Sequence, residues 1–581
     1  MTVTDGRSAA SSGRESLTMT VGEFLLRRIR EAGVRHAFGV PGDYNLELLQ
    51  QLEDAGTLEW VGTCNELNGA YAADGYGRLN GMAALIVTNA VGALSAINGV
   101  AGSYAEHVPV ICVCGSIPLR SMERGLGMHH TMADGTWDRF LGAFAQVTVA
   151  QARLTPANAA TEIDRLILAA WREKLPVYME VPSDIAYLEI EVPAAPLALV
   201  EAPSDPERLQ SCATAIASRL AAANSPAILV DLDANRYGVE GEIVRLADKA
   251  QVPVAVASTA KAVIDETFPY YIGLYDGKAS QPPHVRGAIE NSDCLLSIGY
   301  RAVDLTTGDF TACLPANTIH LRGHSVDVGD DNYQAVTLKQ VLAAAADAVP
   351  QVSSRPAGQA AAAASAGTQA DGSAKLTQAA YWQAIQGYVR SGDVLVVEDG
   401  TSYASFGLKL PPGCSVVAQV IWGSIGYSVG SLLGTLTAAP DRRHLLFVGD
   451  GSFQLTAQEV STMLRHDLKP VIFLINNGGY TIERCWLGKT ARYNDVANWA
   501  YADLPKVFAP DTTARSFVVK TVADLEEALS APNDSLIFIE AVMDPFDAPT
   551  GVINSGNNGA DLDYGPRGPQ YRDNMLIRPA T

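Results

Sequence analysis

From residue 19 to about residue 192 the chain alternates amphipathic stretches, such as Val21-Gly-Glu-Phe-Leu-Leu-Arg-Arg-Ile, with short apolar runs such as Ala83-Ala-Leu-Ile-Val and Val108-Pro-Val-Ile-Cys-Val. Helical and strand periodicities in strict alternation predict a parallel α/β sheet. The pattern returns over 202–350, with strands expected at Ala227-Ile-Leu-Val, Val252-Pro-Val-Ala-Val and Cys294-Leu-Leu-Ser-Ile. It returns again over 376–546, at Val394-Leu-Val-Val, His444-Leu-Leu-Phe-Val, Val471-Ile-Phe-Leu-Ile and Leu536-Ile-Phe-Ile. The expected fold is α/β, with three doubly wound parallel-sheet domains. Residues 351–375 are rich in Ala, Ser and Gly, as an interdomain linker would be. Residues 1–18 are expected to be disordered. Residues 547–581 are expected to be irregular, because glycine and asparagine are poor helix formers.

A chain of 581 residues exceeds what one core organises, which agrees with several domains. Its 48% hydrophobic and 18% charged composition is that of a folded protein. The net charge of -21 repels phosphate backbones and anionic lipid, so nucleic acid and membrane surfaces are not expected partners. Eight cysteines without a C-x-x-C pair suit a reducing cytoplasm. The N-terminus lacks a secretory h-region, and no apolar run reaches the roughly 18 residues of a membrane span.

Chemistry concentrates in Gly449-Asp450-Gly451-Ser452, followed by a helical pattern and a strand closing on Asn476-Asn477. Parallel strands deliver their C-terminal ends to one edge, so Asp450 and Asn477 can meet at one cation. Their side-chain oxygens, with the backbone carbonyl of Gly479, suit a hard ion such as Mg²⁺. The flanking glycines let backbone N–H groups approach a diphosphate. Each motif alone reads as a turn, but together, each at a strand end, they favour a cofactor site.

This arrangement resembles the thiamine diphosphate motif. The segment Cys64-Asn65-Glu66-Leu67-Asn68-Gly69-Ala70 looks like the family stretch bearing its essential glutamate, which implies that Glu66 hydrogen-bonds the cofactor's pyrimidine; the plainer reading is a first-turn Glu favoured by the helix dipole. Gln419 to Ser428, with Gly423, Ser424 and Ile425, resembles the cofactor-holding stretch. There the resemblance makes Ile425 the wedge between the rings and Gly423 a backbone acceptor. Gly400-Thr401-Ser402 resembles the phosphate-side loop.

Asp43, the pair His129-His130, and Glu483 within Tyr480-Thr481-Ile482-Glu483 resemble the signatures of the pyruvate and indolepyruvate decarboxylases. Alone, each has an ordinary reading: Asp43 as a helix N-cap, the histidines as a surface pair or weak metal site, Glu483 as an exposed acid. Together they imply a thiamine diphosphate- and Mg²⁺-dependent 2-oxo acid decarboxylase. Imidazoles, which titrate near neutrality, and carboxyls in a dry cavity would then supply the proton transfers. The resemblance assigns 19–192 to a pyrimidine-binding domain, 202–350 to a middle domain and 376–546 to a diphosphate-binding domain. It further implies a homodimer or homotetramer with active sites between subunits, and an apolar face of the Glu66 helix buried in that contact.

Three pocket positions, Asn89, Asp399 and Trp486, depart from the family pattern, as does Ala90 beside the first. A tail unable to close over the site as a helix would leave it wetter and admit an acceptor aldehyde. Carboligation to hydroxyketones is therefore the rival activity, and a noncatalytic cofactor-binding homologue the rival class.

Overall fold

The computed structural model describes residues 16–352 and 372–562. The first sheet orders its strands Glu59–Gly62, His36–Gly39, Ala83–Thr88, Val110–Ser116, Val177–Pro182 and Ala150–Arg153, all parallel. The third has the same order in Ser415–Ala418, Val394–Val397, His444–Gly449, Val471–Asn476, Ile537–Val542 and Arg515–Val519, again all parallel. Near-continuous apolar strands such as Ala83–Thr88 and Val471–Asn476 are buried along their whole length, as a sheet covered by helices on both faces requires.

The middle sheet is parallel over most of its strands, with one antiparallel edge. Tyr271–Leu274, Val254–Val256, Pro226–Val230, Cys294–Ile298 and Ile319–Arg322 run parallel, but the sheet ends in an antiparallel hairpin, Ser325–Val328 with Asp331–Gln334. The N-terminal boundary also moves: Ser16–Thr20 forms a strand antiparallel to Glu189–Pro193, so residues 16–18 belong to the first domain. The rest of the 1–18 segment lies outside the described residues, as do residues 353–371 of the expected linker. At the linker's end, Ala374 O accepts from Val522 N at 3.3 Å.

The tail is the clearest correction. Thr550–Leu562 is a helix, packed on the short helix Thr481–Trp486. Val552 is buried, and a Cβ on Gly556 would lie 2.5 Å from the Cys485 carbonyl oxygen. Contact of this kind outweighs weak intrinsic propensity. Residues 563–581 lie outside the described residues.

The helix Glu66–Asn80 joins the first and third domains. It is buried from Asn68 to Gly77 and packs on Tyr427–Ala438 and Val91–Ala105 of the same chain. The helices cross so closely that a Cβ on Gly434 would sit 1.8 Å from the Ala72 carbonyl oxygen. The apolar face expected to meet another subunit is thus covered within the chain. Polar groups fix the same seam: Tyr427 donates to Asp74 at 2.6 Å, Arg78 pairs with Asp74 at 2.6 Å, and the buried Glu106 accepts from Ile421 N at 2.6 Å. From the middle domain, Arg236 donates to the Glu106 carbonyl at 3.2 Å.

Candidate active site

In open parallel sheets ligands gather at the carboxyl ends of strands where the strand order reverses. In the third domain that point lies between Val394–Val397 and His444–Gly449, whose C-terminal ends carry Glu398-Asp399-Gly400 and Gly449-Asp450-Gly451. Asp450 opens a helix, Asp450–Thr456, and is buried; its Oδ1 accepts from Gly451 N at 2.8 Å and its Oδ2 from Gly479 N at 3.0 Å. Burial pushes its carboxyl up to about 6. Asn477 is buried nearby, and its side-chain oxygen has no hydrogen-bond partner. A buried carboxylate beside an orphaned amide oxygen is a donor set suited to a hard cation. The Gly479 carbonyl accepts from Thr481 N at 3.0 Å. Glycine is required at 479, where φ is 131° and a Cβ would lie 2.0 Å from Asn494 O.

At the end of the neighbouring strand, Gly400 adopts φ 95° before the turn Thr401–Gly407; Thr401 is buried, and the buried Ser402 hydroxyl lacks a partner. Glu398 accepts from Ser428 Oγ at 2.6 Å, and its carboxyl is pushed up to about 7 by burial. In the 419–428 stretch, Gly423 has φ 59° and Ile425 is half-buried. Ser424 is engaged at the domain seam, its hydroxyl 2.6 Å from Tyr71 Oη and accepting from Asn98 at 3.1 Å. The helix Thr481–Trp486 carries Glu483 on its exposed side and Trp486 partly exposed, one turn on. Thr481 is tied to Pro545 O at 2.9 Å, and Tyr480 N to Asn494 O at 2.8 Å. Ile482 Cγ2 lies 3.8 Å from where a Cβ on Gly400 would be, so this helix abuts the turn that Gly400 opens.

The first domain assembles a second cluster. His129 Nε2 lies 2.5 Å from Asp43 Oδ2, and His130 Nδ1 lies 3.9 Å from Asp43 Oδ1. Asp43 therefore pairs with histidine; the neighbouring helix Leu46–Ala55 has Asn45 at its N-cap position. Tyr44, to which the sequence assigned no role, stacks on His129 with ring centroids 5.0 Å apart and sets its hydroxyl 3.1 Å from Nδ1. Asn89 is buried and donates to the His130 carbonyl at 2.9 Å. Glu66 is the first residue of its helix; Asn65 caps that helix by accepting from Asn68 N at 2.8 Å. A Cβ on Gly92 would lie 3.1 Å from Glu66 Oε1, which places the carboxyl beside the Asn89–Val91 turn. Within the chain, Asp43 and the two histidines form one cluster, and Asp450, Asn477 and Gly479 another. The hydrogen bonds and ion pairs of each cluster close within its own domain.

Two sheets of one strand order, with a side-chain cluster in each of their domains, place the protein among multidomain α/β enzymes. Family models agree with it along the chain: residues 19–138 match the thiamine pyrophosphate enzyme N-terminal TPP binding domain, 213–349 the central domain and 401–540 the C-terminal TPP binding domain. A pyruvate decarboxylase of Aspergillus fumigatus is 39% identical over 548 residues, covering 92% of this chain and 95% of the relative. An alpha-keto-acid decarboxylase of Mycobacterium tuberculosis is 38% identical over 537 residues, covering 91% and 95%. The chain belongs to the thiamine diphosphate-dependent 2-oxo acid decarboxylases, which are carbon–carbon lyases.

Proposed function

We propose that the protein catalyses the non-oxidative decarboxylation of a 2-oxo acid of the pyruvate, phenylpyruvate or indolepyruvate class to an aldehyde and CO₂, with thiamine diphosphate held through Mg²⁺. The observation that carries this reading is the Asp43–His129–His130 cluster, a paired acid and base set for proton transfer. When bound, thiamine diphosphate supplies the electron sink for the pair released as CO₂ leaves. Asp450, the orphaned oxygen of Asn477 and the Gly479 carbonyl would hold the metal; Gly400, Thr401, Ser402, Gly449, Gly451 and Ser452 would line the diphosphate. Glu66 would hydrogen-bond the pyrimidine, Gly423 would accept from its amino group, and Ile425, Tyr480, Thr481 and Ile482 would wall the cofactor.

His129, oriented by Asp43 and Tyr44, would hold at its imidazole the proton that the substrate carbon takes up after CO₂ is lost. His130 and Glu483 manage the hydroxyl proton as the aldehyde departs. Asn89, Asp399 and Trp486 shape the pocket. The complete site is read as lying between two subunits of a homodimer or homotetramer, and the charge and cysteine pattern supports a cytoplasmic setting.

A panel of 2-oxo acids offered to the purified protein with thiamine diphosphate and Mg²⁺, with every product identified, tests the proposal. Glu66→Gln is expected to lose turnover by roughly 100-fold or more, as for loss of a pre-organised catalytic group, while calorimetry still shows cofactor uptake. Normal rates in that variant would refute its role. The carboligase alternative drew on a tail unable to form a helix, and the helix Thr550–Leu562 removes that ground; adding acceptor aldehydes to the panel tests it directly.

A further inference from the structure

Asp399 sits at the carboxyl end of Val394–Val397, at the point of strand reversal, one strand from Asp450. Its Oδ1 is engaged by Gly400 N at 2.5 Å. Its Oδ2 lies 3.6 Å from where a Cβ on Gly423 would be, so it faces the turn that the proposed function sets against the cofactor. The neighbouring helix, whose Ile482 abuts Gly400, carries Glu483, whose charge, after burial, is a further cause of the rise of the Asp399 carboxyl to about 6. No cation answers these two acids from that helix. Arg484 turns away, donating to Gly478 O at 2.8 Å and pairing with Asp495 at 2.9 Å, while Lys489 lies over the Phe546 ring.

We propose that Asp399 is a charge filter for the substrate side chain: its carboxylate turns away 2-oxo acids bearing a second anionic group and admits side chains that are neutral or carry a hydrogen-bond donor. This deepens, and rests on, the decarboxylase reading. A substrate between Glu483 and the Gly423 turn brings its side chain within a few ångströms of Asp399. Two like charges about 6 Å apart at an effective dielectric of about 20 repel strongly enough to cost well over tenfold in binding. The filter works above the titration of Asp399, where the carboxylate is charged.

The test compares kcat/KM for 2-oxopentanoate with that for 2-oxopentanedioate at pH 7.5, in the wild-type holoenzyme and in Asp399→Asn. Asparagine keeps the shape and the oxygen that accepts from Gly400. The preference for the substrate with the uncharged side chain is expected to fall by roughly 10-fold or more in the variant, with Asp399→Thr moving the same way. A preference unchanged within about threefold in both variants, with wild type turning over 2-oxopentanoate, would overturn the filter and leave the decarboxylase reading standing. A wild-type holoenzyme that decarboxylates no member of the 2-oxo acid panel would overturn that reading and this proposal together.

Discussion

At the residue scale, the His129–His130 pair depends on backbone that is costly to hold. His130 has φ 56°, and Ala90, beside the histidine loop's anchor, has φ 51° and ψ -81°. Non-glycine residues in such regions cost on the order of 1–3 kcal/mol each and persist where surrounding contacts fix them. Here the contact is Asn89, donating to the His130 carbonyl at 2.9 Å. Replacing it with alanine removes that tie without touching an imidazole. Asn89→Ala is therefore expected to lower kcat by roughly 10-fold, since small misplacements of reacting groups are expensive, and to shift the pH–rate profile while leaving thiamine diphosphate affinity unchanged. A variant with loosened cofactor binding and an unmoved profile would reduce Asn89 to packing. Asp43, His129, His130, Asp450 and Asn477 were legible in the sequence because their chemistry shows in residue type and motif. Asn89 and Tyr44 were not legible in their roles, because a hydrogen bond to a carbonyl and a ring stacked 5.0 Å away leave no spacing signal.

At the scale of elements, the apolar strands of the first and third sheets were readable because strands buried on both faces are almost uninterrupted runs of Val, Ile and Leu. The edge hairpin of the middle sheet was not: Asp331–Gln334 is mostly exposed and polar, with no apolar run to mark it. The tail failed for the opposite reason. Local propensity argues against a helix over a stretch containing Gly551, Gly556 and Asn554, and tertiary contact reverses it. The small residue at 556 is what lets the helix approach the Cys485 carbonyl. Gly556→Val would force it away from Thr481–Trp486, the helix bearing Glu483. The expected result is faster proteolytic removal of the tail and a several-fold loss in kcat/KM, with the main thermal transition shifted little, because few core contacts are lost. Equal protease resistance in variant and wild type would show that the tail does not depend on this approach.

At the scale of the molecule, the helix Glu66–Asn80 is already spent within its own chain, yet the Asp43–His129–His130 cluster and the Asp450–Asn477–Gly479 cluster share no hydrogen bond. Large apolar side chains remain exposed beside both: Val91 and Leu94 next to the Asn89–Ala90 turn, and Trp422 and Leu455 beside Gly423 and Asp450. Exposed apolar groups clustered in this way favour association, and in the proposed dimer a second copy of the chain would cover them and bring the first-domain cluster of one subunit to the third-domain cluster of the other. Such a division of labour has a consequence that no single-chain site shares. Co-expression of a chain carrying Glu66→Gln with one carrying Asp450→Ala yields mixed dimers in which one site holds both changes and the other neither. If the sites are shared, isolated mixed dimers are expected to show about half of wild-type activity, while each parent homodimer is nearly inactive, since every site in it carries one lesion. If each chain completes its own site, every site in the mixed dimer carries a lesion and the activity stays at the parental floor.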